Sequence, residues 1–492
     1  MGTAFQEAAL QTAYSFVWNL LTEGDELPSL GLSLISPALS GTEGEKPAAV
    51  PDIMIELRSG WEADLIPRGG APELGVPAPG ENFAVSRTYL IPRVNAQETR
   101  GDTTLEACLE GTEDLAILGE LGPPFTGLRV NGLSAGDEGY PLVWVVSARV
   151  RMLEERRKPK ERIRVEALGV ELEGLLRERL DAAPNPLLET KPQVFWLAAA
   201  GDLMLGRGAG DIFLREGPEG IFGGTAGLIA GADLAILNME GAVSSRGSPV
   251  EKAYNFRFPP VMAGALRDAG IDAVLLANNH VYDFGPDAFL DTLTHLEAAG
   301  IGILGAGRNL EAAAAPFVWS RAPPVQAFGI ASFPREASGW DGLSIAAGES
   351  KPGILHAGRG GADKLKEQFS AEALDMVFFH GGSEWTTAPD TRTRAIYTDL
   401  IKAGADIIIG SHPHIVQGFE WIQGKPVFWS LGNFVFAGME HTGGGDEGLF
   451  VRLGFLGTSL VYIEPYPLAL SGPRTAIAPM EELKKFYTLS KK

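Results

Sequence analysis

In the second half of the chain, short apolar runs alternate with longer segments whose apolar positions recur at helical spacing. The runs lie at 194–200, 234–237, 273–276, 302–304, 325–330, 376–379, 407–409 and 427–429, and each reads as a strand. Three of the helical segments end on Ala-Gly, at Ala269-Gly270, Ala299-Gly300 and Ala403-Gly404, where glycine suits a left-handed helix C-cap. Strand and helix in alternation predict an α/β architecture over 193–470.

The first 150 residues follow another pattern. Ala9, Ala13, Phe16, Leu20 and Leu21 have the spacing of one amphipathic helix over 5–21. Strand-like pieces follow at 53–57, 87–91, 115–118, 128–130 and 141–150, with Gly69-Gly70 and Gly122-Pro123-Pro124 as turn punctuation. A smaller α/β domain is therefore expected over 1–150. Arg, Lys and Glu alternate over 149–180 around Ile163, Val165, Leu168 and Leu172, the composition of a solvated helix face. The stretch D-A-A-P-N-P-L-L-E-T-K-P at 181–192 reads as a linker, so a charged helix and Pro-rich linker occupy 151–192. Residues 471–492 read as a tail. The stretch Glu138-Gly139-Tyr140-Pro141-Leu142 resembles one seen in periplasmic solute-binding proteins.

Composition narrows the function classes. At 492 residues the chain exceeds what one core usually supports, so at least two domains are expected. A net charge of −21 argues against nonspecific binding to nucleic acid or an anionic membrane, whose phosphates it repels. The single cysteine, Cys108, excludes an intrachain disulfide and a thiolate metal cluster, so any metal must be held by nitrogen and oxygen. The N-terminus lacks the basic and apolar regions of a signal peptide. No apolar run is long enough to span a bilayer.

The polar residues that matter cluster where the predicted strands end, which is where α/β proteins commonly bind ligands. The stretch D-I-I-I-G-S-H-P-H-I-V-Q at 406–417 places His412 and His414 two apart after a strand. In an extended backbone both imidazoles point to one side, and Pro413 biases His412 away from helix. Asp202 and Arg207, in G-D-L-M-L-G-R at 201–207, have the chemistry of a metal carboxylate and an oxyanion clamp, or of a strand-end turn. Asn238 and Glu240, in L-N-M-E-G, can face one side and bridge cations, or form a turn. The stretch A-N-N-H-V-Y-D-F-G at 277–285 offers Asn279 as a hard-metal ligand and His280 as a ligand or general acid, or an Asn-rich helix cap before Pro286. In F-H-G-G-S-E-W at 379–385, His380 ends a strand and Glu384 is a candidate pocket wall. Four of the seven histidines, His280, His380, His412 and His414, thus follow strands of the second domain. With two carboxylates and an amide they make the donor set of a mixed N/O metal site. No nucleophile elbow, Walker loop or dinucleotide fingerprint is present.

Taken in order, G-D-L-M-L-G-R, L-N-M-E-G, A-N-N-H-x-x-D-F-G, H-G-G-x-E, G-A-D-x-I-I-G-S-H-P-H-x-x-Q and S-L-G-N-F-V-F resemble the CapA family. These are capsule-synthesis and poly-γ-glutamate-biosynthesis proteins related to calcineurin-like metallophosphoesterases. The resemblance runs from about residue 194 to 466 and does not cover the N-terminal domain. It implies a metallophosphatase-like α/β sandwich, two sheets between helical layers. It implies that Asp202, Glu240, Asn279, His380, His412 and His414 line a metal centre for one or two divalent ions (Mn, Zn, Fe or Mg). His280 takes the place of the phosphoesterase general acid and Arg207 steadies substrate charge. Asn238, Asn278, Glu384 and Asn433 are the substrate-facing candidates. Two departures from phosphoesterases stand out: Met204 where a histidine usually follows the aspartate, and Glu240 in place of aspartate. The CapA family shares both.

Three functions follow. The first is a metal-dependent hydrolase acting on a phosphoester or γ-linked polyanion. The second is a non-catalytic component of polymer assembly or export that holds carboxylates in the same pocket. The third is solute binding or docking centred on the N-terminal domain. The expected partners are an anionic small molecule or polymer and the capsule-synthesis machinery. The resemblance places the protein at the cell envelope, outside the cytoplasm, although no signal peptide is visible.

Overall fold

The computed structural model describes residues 194–321, 323–334, 341–439 and 441–490, and a set of strands between Leu32 and Met152. The chain divides into two compact units, with Val194–Lys492 forming the bulk of the second. In the first unit, Leu32–Ile35 runs parallel to Ile53–Trp61. Ile53–Trp61 and Glu81–Asn95 flank Val143–Met152, each antiparallel to it, and Asp114–Ile117 pairs with 90–93. The strand Val143–Met152 runs past Arg149, where the charged segment was expected to begin. The expected helix over 5–21, the rest of the charged segment, the linker and the stretch 138–142 lie outside the described residues.

The second unit holds every strand expected from the apolar runs. Those of its first sheet are β1 (Phe195–Met204), β2 (Leu234–Met239), β3 (Ala273–Leu275) and β4 (Gly302–Leu304), parallel throughout. The second sheet comprises β5 (Phe317–Trp319), β6 (Val325–Ser332), β7 (Leu374–Gly381), β8 (Ile407–Ser411), β9 (Phe419–Ile422) and β10 (Lys425–Phe428), in the order β5-β6-β7-β8-β10-β9. Its centre is parallel and its two edge strands are antiparallel. Gly270, Gly300 and Gly404 have φ of 91°, 71° and 127°, as the Ala-Gly junctions require.

The chain then returns to the first sheet. β11 (Asn433–Phe436) pairs with the last residues of β1, and β12 (Glu447–Leu456) pairs antiparallel with its first half. β13 (Ser459–Ser471) and β14 (Arg474–Ile477) extend the sheet as antiparallel ribbons. Residues 471–490, expected as a tail, include β14 and the helix Leu483–Ser490, whose Leu483, Phe486 and Tyr487 are buried. Two of those three are aromatic, and no turn signal in the sequence marks the helix as part of a core.

Strand parity decides what faces what. In β7, Leu374, Met376 and Phe378 join the core shared by the two sheets, whereas Val377 and Phe379 face an outer core. That outer core is closed by Tyr397, Leu400 and Ile401 of the helix Thr391–Ala403, which Asp390 caps through the Thr393 amide at 2.8 Å. In β8, Ile407 and Ile409 point inward and Ile408 outward. With a side-chain period of two, His380 and Ser411 therefore end their strands on the inner face, toward the first sheet.

Two predictions follow from this packing. A methyl group on Gly201 would lie 1.8 Å from the Gly432 carbonyl oxygen, which accepts the Asp202 amide at 3.0 Å. Gly201→Ala should force β1 away from 431–432 at a cost of about 1–3 kcal/mol, lowering the thermal midpoint by about 2 °C or more. An unchanged midpoint would contradict this close approach. Burial raises the Asp375 carboxyl to about 6 from 3.8, and its Oδ1 has no partner. The native state then binds more protons than the unfolded chain between those values, so stability falls as pH rises through that window. Asp375→Asn should melt above the wild type at pH 7, by about 1–2 °C, and match it below about pH 4; denaturation across pH measures the difference.

Candidate metal centre

The two sheets deliver their polar residues to one place because their C-terminal ends meet. A register shift between Leu237 and Asn238 sets Asn238 opposite Asp202, and β11 sets Asn433 opposite Asp202 on the other side. Three polar residues thus stand in a row across β11, β1 and β2. Asp202 Oδ1 accepts from Asn238 Nδ2 at 2.7 Å. Its Oδ2 accepts the His412 backbone N–H at 3.3 Å and lies 3.2 Å from His414 Nδ1. His414 Nδ1 also donates to Asn433 Oδ1 at 2.9 Å.

From the second sheet, His380 reaches across. Its Nδ1 lies 3.1 Å from Asn238 Nδ2, its Nε2 2.9 Å from Asn279 Oδ1 and 3.6 Å from Glu240 Oε1. The His412 ring lies 4.6 Å from that of His380 and 6.2 Å from that of His414. Asp202, Glu240 and His414 offer ligand atoms within 4.8 Å of one another. All of these side chains are buried.

Electrostatics explains the arrangement. Burial, then the neighbouring Asp202 carboxylate, pushes the Glu240 carboxyl well above its usual range. Burial opposes charge on His414, but the hydrogen bond to Asp202 and the field of Glu240 and Asp202 outweigh it, raising the imidazole to about 10. His380 and His412 are held well below the usual histidine range by burial, with neighbouring imidazoles adding to the effect. Two carboxyl groups, one cationic imidazole and two neutral imidazoles therefore share one buried site. Glu240 Oε2 and His412 Nδ1 are buried without a hydrogen-bond partner. Such orphaned acceptors in native structures call for an explanation. An all-N/O donor set with two adjacent carboxyl groups fits a divalent cation, whose charge would favour the ionised form of both.

The remaining sequence candidates take other places. Asn278 donates to Met239 O at 2.8 Å and Asn238 Oδ1 at 3.3 Å, and its own oxygen caps the amides of His280 and Val281 at 3.0 Å. It braces the loop behind the centre. His280 stands to one side, its Nδ1 2.7 Å from Asp283 Oδ2. Exposed Glu384 lies at the mouth, 4.0 Å from His412 Nε2. A cavity of about 380 Å³ opens here, lined by Asn279, His280, Glu384 and His412. Arg207 does not line it. Exposed on the far side of Tyr254, it lines a neighbouring cleft.

Two features were not read from the sequence. Lys252 has a buried side chain and donates to Asn279 O at 2.8 Å and Asp283 Oδ1 at 3.0 Å; it lies in a loop with no motif, and only the fold brings it here. Asp283 follows His280 by three residues in the motif, a spacing that could have flagged the pair. One expectation needs correction. His412 and His414 are not in extended backbone: their φ values are 97° and 58°. The chain must turn directly after Ser411, and left-handed residues turn it while keeping both rings inward. Strain of this kind is commonly retained at functional sites.

Residues 196–438 match the family model described as bacterial capsule synthesis protein PGA_cap. The capsule biosynthesis protein CapA of Bacillus anthracis is 26% identical over 323 residues, 63% of this chain and 76% of that protein. The chain belongs to the CapA family through this unit. The PGA biosynthesis protein CapA of Bacillus subtilis is 28% identical over 258 residues, 52% of this chain and 67% of that protein. A probable polyglutamine synthesis accessory protein of Mycobacterium tuberculosis is 30% identical over 212 residues, 41% of this chain and 55% of that protein. Among solved structures, a phosphatase from Mycoplasma pneumoniae aligns with a TM-score of 0.34 and 13% identity, covering 57% of this chain and 96% of that one. In this CapA-family chain, Met204 stays in the core and its sulfur accepts the Gly206 amide at 3.1 Å.

The donor set generates a prediction about metal content. After loading with manganese and desalting, His412→Ala and His414→Ala should each retain less metal by elemental analysis than wild type or His441→Ala, a change at an exposed loop histidine. Metal-free Glu240→Gln should melt above metal-free wild type, because it relieves carboxylate repulsion, and should lose most of the rise that manganese brings. Full metal retention in both histidine variants would remove the assignment.

Proposed function

We propose that this CapA-family unit is a metal-dependent hydrolase with a phosphoesterase-like site, serving capsule or poly-γ-glutamate biosynthesis at the cell envelope. The observation that carries this reading is the buried group Asp202, Glu240 and His414, with an orphaned Glu240 oxygen, next to a cavity that Asn279, His280 and His412 line. Asp202, Glu240, Asn279, His380, His412 and His414 would hold one or two divalent ions. A metal bound there supplies Lewis acidity toward a substrate oxygen and toward water.

The chain's own residues do the rest. Asp283, itself held by Lys252 at 3.0 Å and by the Phe256 amide at 2.7 Å, accepts from His280 Nδ1. That bond fixes the ring and leaves Nε2 for a substrate group. Burial holds the His280 imidazole below the usual range against the opposing pull of Asp283. An anionic substrate entering the cavity favours the imidazolium, which then donates to the leaving oxygen. The Phe256 ring, 4.3 Å from that of His280, limits water on that side. Glu384 at the mouth repels excess anion and so favours a substrate that presents one charged end.

A second reading is a binding component of polymer assembly that holds carboxylates without turning them over. It is favoured by Met204, whose core placement gives the centre one imidazole fewer than a phosphoesterase. Hydrolysis of an aryl phosphate by manganese-loaded protein separates the two. The hydrolase reading expects metal-dependent turnover that falls about 100-fold or more in His280→Ala. Bound metal without turnover would leave the binding reading in its place.

A further inference from the structure

The cavity at the metal centre has a neighbour. Ala253 and Tyr254 line both it and a second cleft of about 400 Å³, whose walls also include Arg207, Phe256 and Arg257. Arg207 is exposed but firmly seated. Its guanidinium lies over the rings of Tyr254 and Phe256, 5.4 and 5.2 Å from their centroids, and Nη1 donates to Ala437 O at 2.8 Å. Gly438 makes room for it, since a methyl group there would lie 2.6 Å from Nη1. The backbone of Arg207 is left-handed, φ 51°, an uncommon conformation for this residue type. Arg257 is seated in the same way, its guanidinium 4.2 Å from the Phe284 centroid and Nη1 3.2 Å from Arg246 O.

Neither guanidinium has a carboxylate partner among the described residues, whereas nearby Arg246 is neutralised by Asp291. In a chain of net charge −21, two pre-oriented cations without counter-charges in one cleft stand out. Stacked guanidinium groups keep their in-plane donors free for a planar oxyanion.

We infer that the Arg207–Arg257 cleft is a second anion subsite, which holds a distal carboxylate of a linear polycarboxylate whose reacting end enters the metal centre past Tyr254. The identity of that reacting end rests on the proposed function; the subsite itself does not. The substrate is then a chain with carboxylates at intervals, as in γ-linked glutamate, rather than a compact monoanion. Arg207 acts there in binding and not beside the reacting atoms.

Calorimetric titration of the metal-free full chain with γ-linked tetraglutamate, glutamate and tripolyphosphate tests this. The tetramer should bind at least tenfold tighter than glutamate. Arg207→Gln and Arg257→Gln should each weaken it about tenfold, and Gly438→Ala, which displaces the Arg207 head, should act in the same direction. Absence of tetramer binding overturns the subsite, as does equal binding by wild type and both arginine variants with unchanged circular dichroism. Tripolyphosphate binding as tight as the tetramer and equally arginine-dependent overturns the carboxylate assignment. Because the protein is metal-free in these titrations, their outcome is independent of the turnover that tests the hydrolase reading.

Discussion

Two carboxylates buried side by side govern this structure. Asp202 and Glu240 are both fully inaccessible to water, and paired negative charges at low dielectric are unfavourable unless a cation or strong donors accompany them. The surroundings supply such compensation: the side-chain amide of Asn238, the His412 backbone N–H and the cationic ring of His414. They come from the ends of β2 in one sheet and β8 in the other, so the centre exists only while both sheets keep their register. The left-handed backbone at His412 and His414 belongs to the same requirement, because a relaxed turn would carry one ring away.

The sandwich makes this arrangement inexpensive elsewhere. Parity along β7 and β8 puts alternate apolar side chains into two separate cores, and each strand's last inward position falls at the centre. The helices outside the second sheet need only apolar contact. Polar chemistry is therefore confined to one rim, and the rest of the unit is ordinary close packing. The return of β11, parallel, and β12, antiparallel, along β1 adds the final constraint, bringing Asn433 to Asp202 from a position far along the chain.

Membership of the CapA family and the chemistry of the centre are separate matters. The family follows from the match over 196–438, and a fold can host many activities. Met204 shows the distinction within one strand. Two residues after Asp202, it sits where a ligand would be useful and instead fills the core. Asp202, Glu240 and His414 still offer ligand atoms within 4.8 Å of one another, and the His280–Asp283 pair stands beside them.

Much of this was legible in the chain itself. The apolar runs predicted the parallel strands to within a few residues, because a strand buried on both faces needs continuous hydrophobicity. The Ala-Gly junctions predicted helix ends, because only a left-handed residue closes a helix there. Strand-end histidines and carboxylates marked the centre, since loops after parallel strands gather at one rim. The long antiparallel strands β12 and β13 and the terminal helix were not foreseen. The two strands, interrupted by Gly or Pro among mixed apolar residues, carry no clear period, and the helix shows its apolar spacing at only Leu483, Phe486 and Tyr487. The extended form expected for His412 and His414 was a local inference, and the need to turn between the sheets overrode it. Lys252 and Arg207 show the limit most plainly. Local sequence cannot say which loop will lie beside which, so only the tertiary structure took Arg207 out of the cavity that His280 lines and set Lys252 beside His280. Local sequence determined the elements and the residue types at their ends; distances, partners and charges belong to contacts between segments far apart in the chain.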